Sequence, residues 1–400
     1  MGMENRKKTD FDRIIDRTHT NSLKWDAYPG DVLPIWVADM DFAVPQPIQD
    51  ALAHKVEHGV FGYERACREH LETVALRMQK LYGWQVEPNM VLAVPGIVSG
   101  FNLAALAACQ PGDGMLIQPP VYPHFLKAPG NTGLQQQVAP LTPIREGQTL
   151  RYEADMDAFE AAFKQAGIHT GMFLLCNPHN PTGAVYSPNT LTQMAEICLQ
   201  NDTIICSDEI HSELLLGNTP FTPIATLSPE IAERSITLVA PSKTFNVAGL
   251  FCGFAIIPNK DLRSRYQKQS DRLTMHVSSL GLAASEAAFS GACDDWLVDL
   301  LAYLTANRDI LVDFVRTELP GIRTTVPDAT YMAWMDCSQL VEDGTISGSP
   351  YKFFLNKGRV ALNNGDVFGP GGENFVRFNF ACPRERMLEA LNRMKNALSG

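Results

Sequence analysis

The stretch that decides the fold is Ser235–Asn246, S-I-T-L-V-A-P-S-K-T-F-N, in which an apolar run leads directly to a lysine. A continuous apolar run of this length is typical of a strand that is covered on both faces of a sheet. A lysine held among apolar neighbours has its charged form disfavoured, which lowers its pKa and makes it a nucleophile. For a single lysine the ordinary alternative is a side chain that extends to solvent. Lys243 is therefore a candidate whose role depends on its surroundings.

Three other segments have the same plan, an apolar run followed by a polar turn. They are Met90–Val94 before P-G-I-V-S-G, Gly171–Cys176 before N-P-H-N-P-T-G, and Thr203–Cys206 before S-D-E-I-H. Ligands of open α/β sheets bind outside the carboxyl ends of the strands. The sequence therefore predicts that these turns and Lys243 share one edge of a sheet.

Each turn offers a group suited to a ligand, and each also has an ordinary interpretation. Gly96 precedes a predicted helix, and helix N-termini bind phosphate, although most strand-glycine-helix turns are only turns. Asn180 lies in a doubled Asn-Pro turn and has an amide to offer. Asp208 is costly to bury without a cationic partner, although a single aspartate is more often a helix cap or a surface acid.

The alternation of apolar runs and amphipathic segments predicts an α/β fold, with a mostly parallel sheet wrapped by helices. Helices are predicted at Leu103–Ala108, Pro188–Leu199, Asp294–Leu319 and from Arg384, and further strands at Met115–Gln118, Phe251–Ile257, Tyr331–Met335 and Phe375–Phe380. We expect a large domain at 48–288 and a smaller α+β domain formed by 11–47 and 289–400. The segment up to Pro47 should contact that smaller unit.

Composition excludes several classes of protein. The chain has 400 residues and a formal net charge of −11, which disfavours binding to nucleic acid. Its 9 cysteines are scattered without zinc-site spacing, so no metal is expected and a reduced compartment is favoured. The polar stretch Asn5–Lys8 has no apolar signal-peptide core, and no run reaches the roughly 20 apolar residues of a membrane span. We expect a cytoplasmic protein with no membrane partner.

The chain resembles the fold-type-I pyridoxal 5′-phosphate (PLP) enzymes, the aspartate aminotransferase superfamily. The resemblance rests on five motifs in a fixed order: the Gly turn, N-P-H-N-P-T-G, D-E-I-H, S-K-T-F-N and V-R-F-N. The resemblance covers nearly the whole chain from about Phe11. It implies PLP as cofactor, an amino-acid substrate, and Lys243 as the amine that forms a Schiff base with the cofactor.

The resemblance also assigns the groups around the cofactor ring. Asp208 matches the carboxylate that keeps the ring nitrogen protonated, and Asn180 matches the amide that donates to the phenolic oxygen. Tyr122, in P-P-V-Y-P, matches the aromatic residue that stacks on the ring and belongs to the catalytic group with Lys243. His211 stands where many relatives have a tyrosine, and it matches a lyase subgroup.

For the phosphate, the resemblance implies the backbone N–H groups of Gly96, Ile97 and Val98, with Ser242 as an additional ligand. Many relatives have hydroxyl side chains in this turn, whereas Ile97 and Val98 offer only backbone. Tyr63, in F-G-Y, matches a tyrosine that reaches the phosphate of the neighbouring subunit. This implies a homodimer with composite sites.

Arg377, in V-R-F-N, matches the arginine that binds the substrate α-carboxylate through two parallel hydrogen bonds. The string Trp36–Phe42, W-V-A-D-M-D-F, resembles the cystathionine β-lyase and cystalysin-type C–S lyases, and it places Trp36 and the backbone of Ala38 near the substrate. Two departures bear on substrate choice: Ala184 stands where relatives often have arginine, and Asn363–Asp366 differs from the common Ser-Pro-Gly.

The subgroup implies α,β-elimination: Lys243 removes the Cα proton, a thiolate leaves from Cβ, and pyruvate and ammonia follow. An aminotransferase on the same scaffold is the principal alternative, because both reactions begin with the same deprotonation. A PLP-bearing regulatory protein is a third possibility. A nicotinamide enzyme is disfavoured, since no G-x-G-x-x-G follows a strand.

Overall fold

The structure is a computed structural model, and it describes residues 8–399. Asn5, Arg6 and Lys7 of the polar N-terminal stretch lie outside the described residues. The strands are β1 Leu33–Pro34, β2 Val91–Val94, β3 Gly114–Ile117, β4 Gln135–Val138, β5 Leu141–Glu146, β6 Thr149–Ala154, β7 Thr170–Cys176, β8 Ile204–Asp208, β9 Ser235–Val239, β10 Gly253–Ile256, β11 Arg323–Thr325, β12 Met332–Asp336, β13 Val360–Ala361, β14 Asn363–Asn364 and β15 Phe375–Asn379.

The α-helices are α1 Gln46–His58, α2 Arg68–Tyr82, α3 Ile97–Ala108, α4 Pro123–Thr132, α5 Met156–Ala162, α6 Pro188–Gln200, α7 Pro229–Glu233, α8 Pro241–Thr244, α9 Lys260–Arg272, α10 Ser279–Phe289, α11 Asp294–Glu318, α12 Ser338–Glu342, α13 Pro350–Phe353 and α14 Arg384–Ser399. Short 3₁₀ turns lie at Pro88–Met90, Ile224–Thr226, Ala248–Leu250 and Gly365–Phe368, and one π turn lies at Phe354–Gly358.

A central sheet of seven strands has the order β2-β10-β9-β8-β7-β3-β4. Only β10 is antiparallel to its neighbours, so the carboxyl ends of the other strands meet at one edge. Both faces are covered: Leu174 packs into one apolar cluster, and Phe173 and Leu175 pack into another. The predicted α/β fold with a mostly parallel sheet is confirmed.

A second sheet has the order β14-β15-β12-β11-β6-β5. Most of it comes from the C-terminal part of the chain, but the hairpin β5–β6 joins it through parallel pairing of β6 with β11. This hairpin lies inside the segment 48–288 that the sequence assigns to the large domain. The division into two domains stays a prediction.

The N-terminal segment contacts the C-terminal part, as predicted for the residues up to Pro47. Strand β1 pairs in parallel with β13, and the N–H of Asn379 donates to the carbonyl of Ile35 at 3.0 Å. These contacts carry Trp36–Phe42 to the carboxyl edge of the central sheet. Within residues 8–399, no helix is both long enough and apolar enough to span a bilayer.

Candidate active site

The predicted site residues converge because five parallel strands of the central sheet end at the same edge. The residues that follow or end these strands are Gly96 after β2, Tyr122 after β3, Asn180 after β7, Asp208 at the end of β8 and Lys243 after β9. Arg377 reaches the same place from β15 of the second sheet, where it is buried. The site therefore lies between the two sheets.

Lys243 lies in the short helix α8, which begins at Pro241 directly after β9. Its Nζ donates to the backbone carbonyl of Ala38 at 2.7 Å. Burial lowers the pKa of Lys243 to about 8, with a further contribution from the positive charge of Arg377. A larger share of this amine is thus unprotonated near neutral pH than in a free lysine, as a nucleophile or base requires.

Asp208 is buried, and its Oδ1 accepts a hydrogen bond from the N–H of Ile210 at 3.1 Å. Burial raises the pKa of Asp208 to about 7, against the smaller opposing effects of that N–H and of Lys243. A buried carboxylate without a close cation is unfavourable. A protonated ring nitrogen placed beside it would supply the missing charge, so the carboxyl suits the pyridine of PLP.

The guanidinium group of Arg377 is held in place by hydrogen bonds to two oxygen atoms. Its two terminal nitrogens donate to Asn180 Oδ1 at 2.9 Å and to the carbonyl of Trp36 at 3.0 Å. Burial lowers its pKa to about 10, so the guanidinium stays charged at neutral pH. Because Oδ1 of Asn180 accepts from Arg377, the amide nitrogen of Asn180 is the atom able to donate to a ligand.

Tyr122 and His211 complete the group around this space. The N–H of Tyr122 donates to the carbonyl of Asn180 at 3.0 Å, and burial raises the pKa of the Tyr122 hydroxyl. His211 is buried, and its Nδ1 has no hydrogen-bond partner among the described residues. Burial, with Lys243 and Arg377 nearby, holds the pKa of His211 well below its usual value. The unpaired ring nitrogen of this neutral imidazole can form a hydrogen bond with a polar atom of a bound ligand.

The turn before α3 has the shape of an anion site. Gly96 has φ +121°, and beyond its two chain neighbours no atom lies within 4 Å of the position that a Cβ would occupy. No side chain caps this helix, so the N–H groups of Ile97 and Val98 remain available to a phosphate. Ser242 is partly exposed beside Lys243.

Tyr63 is the predicted residue that a single chain does not bring into this group. Its side chain is fully exposed, and its ring lies 6.1 Å from that of His276. Trp36 and Ala38 do reach the site, but through their backbone carbonyls. The indole of Trp36 instead donates to the carbonyl of Lys24 at 3.4 Å.

Sequence reasoning missed three polar residues at the site. Tyr331 donates its hydroxyl to the carbonyl of Ala38 at 2.9 Å, and its ring makes an edge contact with His211. Asn246 and Asn379 donate to backbone carbonyls of the segment Trp36–Phe42. The two asparagines stand in the quoted motifs S-K-T-F-N and V-R-F-N, so their presence was visible although their role was not.

The model of the family described as aminotransferase class I and II matches residues 44–394. The chain belongs to this family. Cystathionine β-lyase PatB of Bacillus subtilis is 36% identical, over 97% of this chain and 100% of the relative. The PLP-bound C–S lyase of Staphylococcus hominis superposes with a TM-score of 0.90 at 30% identity, covering 98% of this chain and 99% of that one.

A second similar solved structure is that of cystalysin from Treponema denticola, which contains PLP. It superposes with a TM-score of 0.89 at 30% identity, over 98% of both chains. The similarity to these lyases extends over nearly the full length, so the segments that carry Lys243, Asp208 and Arg377 all lie inside the matched region.

Proposed function

We propose that this chain is a PLP-dependent C–S β-lyase of the cystathionine β-lyase type. It acts on L-cystathionine or related β-thio amino acids and yields pyruvate, ammonia and a thiol. One observation carries the proposal: a chain similar to a cystathionine β-lyase over 97% of its length places a half-buried lysine with a lowered pKa, a buried aspartate and a buried arginine around one space.

PLP fits this space because the residues present match its parts. Lys243 would hold its aldehyde carbon, Asp208 its ring nitrogen, and Asn180 with His211 its phenolic oxygen, while Tyr122 would cover the ring. The phosphate would lie at the N–H groups of Gly96, Ile97 and Val98, beside Ser242. When bound, PLP supplies an electron sink for the charge left at Cα.

The side chains of this protein then perform the remaining tasks. Arg377 binds the substrate α-carboxylate and sets the direction of the Cα–H bond. Lys243, partly unprotonated near its pKa of about 8, takes the Cα proton. The group at Cβ leaves as a thiolate, which is a better leaving group than an alkoxide because a thiol is the stronger acid.

We further propose that the active form is a homodimer in the cytoplasm. Tyr63 is fully exposed in one chain, and Val60 and Phe61 beside it are also exposed, as expected for residues that a second copy covers. The nine cysteines form no disulfide among the described residues, which supports a reducing compartment.

The deciding experiment is incubation of the PLP-loaded protein with L-cystathionine in the absence of any keto acid. We expect pyruvate, ammonia and homocysteine, and loss of activity by orders of magnitude in Lys243→Ala. Lys260→Ala, an exposed lysine on α9, serves as the matched control. Absence of pyruvate from cystathionine and cystine, with rapid exchange between an amino acid and a keto acid, would favour the aminotransferase alternative.

A further inference from the structure

The segment Trp36–Phe42 has no helix or strand pairing of its own, yet its backbone carbonyls are almost all engaged. Those of Trp36 and Ala38 accept from Arg377 and Lys243. Two asparagine amides supply four further bonds: Asn379 Nδ2 donates to Val37 O at 2.6 Å and to Asp39 O at 2.7 Å, and Asn246 Nδ2 donates to Met40 O at 3.0 Å and to Phe42 O at 2.9 Å. Arg17 also donates to Met40 O at 3.2 Å, and Tyr331 to Ala38 O at 2.9 Å.

Both asparagines use the same geometry, in which one amide bridges two carbonyls that are two residues apart. The bridge made by Asn379 has Ala38 at its centre. Asn379 also accepts from the N–H of Ala381 at 2.8 Å, so its amide is oriented from both ends. It follows Arg377 by two residues on β15, and Asn246 follows Lys243 by three. Each motif that carries a reactive side chain thus also carries an amide that holds the segment.

We infer that Asn379 is a positioning residue that holds the Ala38 carbonyl against Lys243. Lys243 becomes an ammonium group when it takes the Cα proton, and the Ala38 oxygen then accepts a hydrogen bond from that group. Amide donors on both neighbouring carbonyls restrain the peptide of Ala38 from rotating its oxygen away from Nζ. The proton stays on Lys243, and the carbonyl only accepts a hydrogen bond, which favours the protonated amine. The inference rests on the proposed function and assigns residues to its proton transfer.

The charges around Lys243 are the same with or without the Asn379 amide. Arg377 lowers the pKa of Lys243, and Asp39 and Asp208 raise it. His211 is held neutral by burial, and Tyr331 donates to the same Ala38 oxygen at 2.9 Å. Replacing the neutral Asn379 removes none of these groups. A change in the titration of Lys243 in such a variant therefore reports movement of the segment that carries the Ala38 carbonyl and Asp39.

The chain offers a matched control in Asn307 on α11, which is fully buried. Its Nδ2 also bridges two carbonyls two residues apart, donating to Phe380 O at 3.2 Å and to Cys382 O at 3.1 Å. Asn307→Ala should thus remove a similar pair of hydrogen bonds from the same neighbourhood without releasing Ala38.

The experiment compares Asn379→Ala with Asn307→Ala in two readouts. In the full chain with cofactor removed, the pH dependence of Lys243 acetylation by acetic anhydride is followed by mass spectrometry. For Asn379→Ala we expect the midpoint to fall by about one pH unit, as loss of one hydrogen bond to a charged group implies. In the PLP-loaded protein we expect kcat for cystathionine to fall about tenfold and KM to change less than about threefold. Asn307→Ala should match the parent in both.

Equal midpoints and equal kcat values in the two variants would overturn the inference. If Asn379→Ala does not fold, Asn246→Gly decides: its left-handed φ of +57° suits glycine, and we expect a smaller change of the midpoint in the same direction. A parent-like midpoint there would count against the inference. A parent that eliminates nothing from cystathionine would instead refute the proposed function, and the acetylation midpoints would still decide whether Asn379 holds the carbonyl.

Discussion

At the scale of single residues, the adjacent carboxyls of Asp208 and Glu209 differ in what surrounds them. Asp208 faces the site, where a cationic ligand atom would offset its burial. Glu209 accepts hydrogen bonds through Oε1 from the hydroxyl of Ser207 at 2.9 Å and the N–H of Ile224 at 3.2 Å. Burial raises the pKa of Glu209 to about 8. Glu209 is therefore mostly protonated at neutral pH and adds little negative charge beside Asp208.

This difference predicts how stability depends on pH. At a pH between its ordinary pKa and about 8, Glu209 is protonated in the folded protein and ionised in the unfolded chain. The free energy of unfolding therefore falls as pH rises through this range. Glu209→Gln removes this effect. In the cofactor-free protein, we expect the free energy of unfolding of the variant, relative to that of the parent, to rise by a few kcal/mol from pH 5 to pH 9. Each tenfold difference in proton affinity between the folded and the unfolded chain is worth about 1.4 kcal/mol.

Urea denaturation at the two pH values measures this gain. Glu57→Gln changes an exposed acid on α1 and should show no such gain. A constant difference between Glu209→Gln and the parent at both pH values would show that Glu209 is already ionised in the folded state.

At the scale of elements, the turn N-P-H-N-P-T-G connects the two sheets. Gly183 has φ +73°, and its carbonyl accepts from the N–H groups of Asp328 and Ala329 at 2.9 and 3.0 Å. A Cβ at this position would lie 2.5 Å from Pro327 Cβ, closer than real Cβ contacts. The close approach of this turn to Pro327 therefore requires a residue without a side chain at position 183.

We predict that Gly183→Ala destabilises the protein by about 3 kcal/mol or more, since it adds both left-handed strain and a backbone clash. Gly133→Ala is the matched control: it has the same φ of +73° at the end of α4 but open space around the Cβ position. That variant should cost only about 1 kcal/mol. Thermal unfolding of both variants checks the difference, and equal losses would show that the contact with Pro327 is unimportant.

The elements that sequence predicted correctly are those with a strong local signal. The buried strands β7, β8 and β9 are continuous apolar runs, and α11 is a long amphipathic stretch ended by Pro320. The hairpin β5–β6 was missed because it has polar residues on its exposed face and pairs with β11, which is remote in sequence. Helix α1 was missed because Ile48 is its only fully buried side chain.

Part of the site was also beyond sequence reasoning, for a physical reason. Lys243, Asp208 and Arg377 act through side chains, whose chemistry is visible in the sequence. Trp36 and Ala38 act through carbonyl oxygens, which every residue has, so no residue type marks them. The role of Asn379 depends on where those carbonyls lie, and only the fold determines that.

At the scale of the whole molecule, the site is assembled from distant parts of the chain. The central sheet supplies Lys243 and Asp208, the second sheet supplies Arg377, and the N-terminal segment supplies the carbonyl of Ala38. Mutual placement of these groups therefore depends on contacts between sheets and not on one local motif. The same dependence extends to a second chain if the exposed Tyr63 serves the neighbouring site.

A composite site makes a prediction that a self-contained site does not. Lys243→Ala and Tyr63→Ala homodimers should each be impaired, because every site lacks one group. After dissociation and random reassociation of equal amounts, half of the dimers are mixed, and each contains one site with both Lys243 and Tyr63 intact. The mixture should then recover about a quarter of the parent activity, as the two-fold symmetry of an isologous dimer requires.

Mixing the Lys243→Ala variant with a second Lys243→Ala preparation controls for the handling, and it should recover nothing. Measuring the assembly state by light scattering before and after mixing shows that dimers re-form. The outcome against the proposal is a mixture whose activity equals the mean of its two components although mixed dimers are present. Tyr63 would then act within its own chain or not at all, because only a residue that crosses the interface can restore a site whose own subunit lacks it.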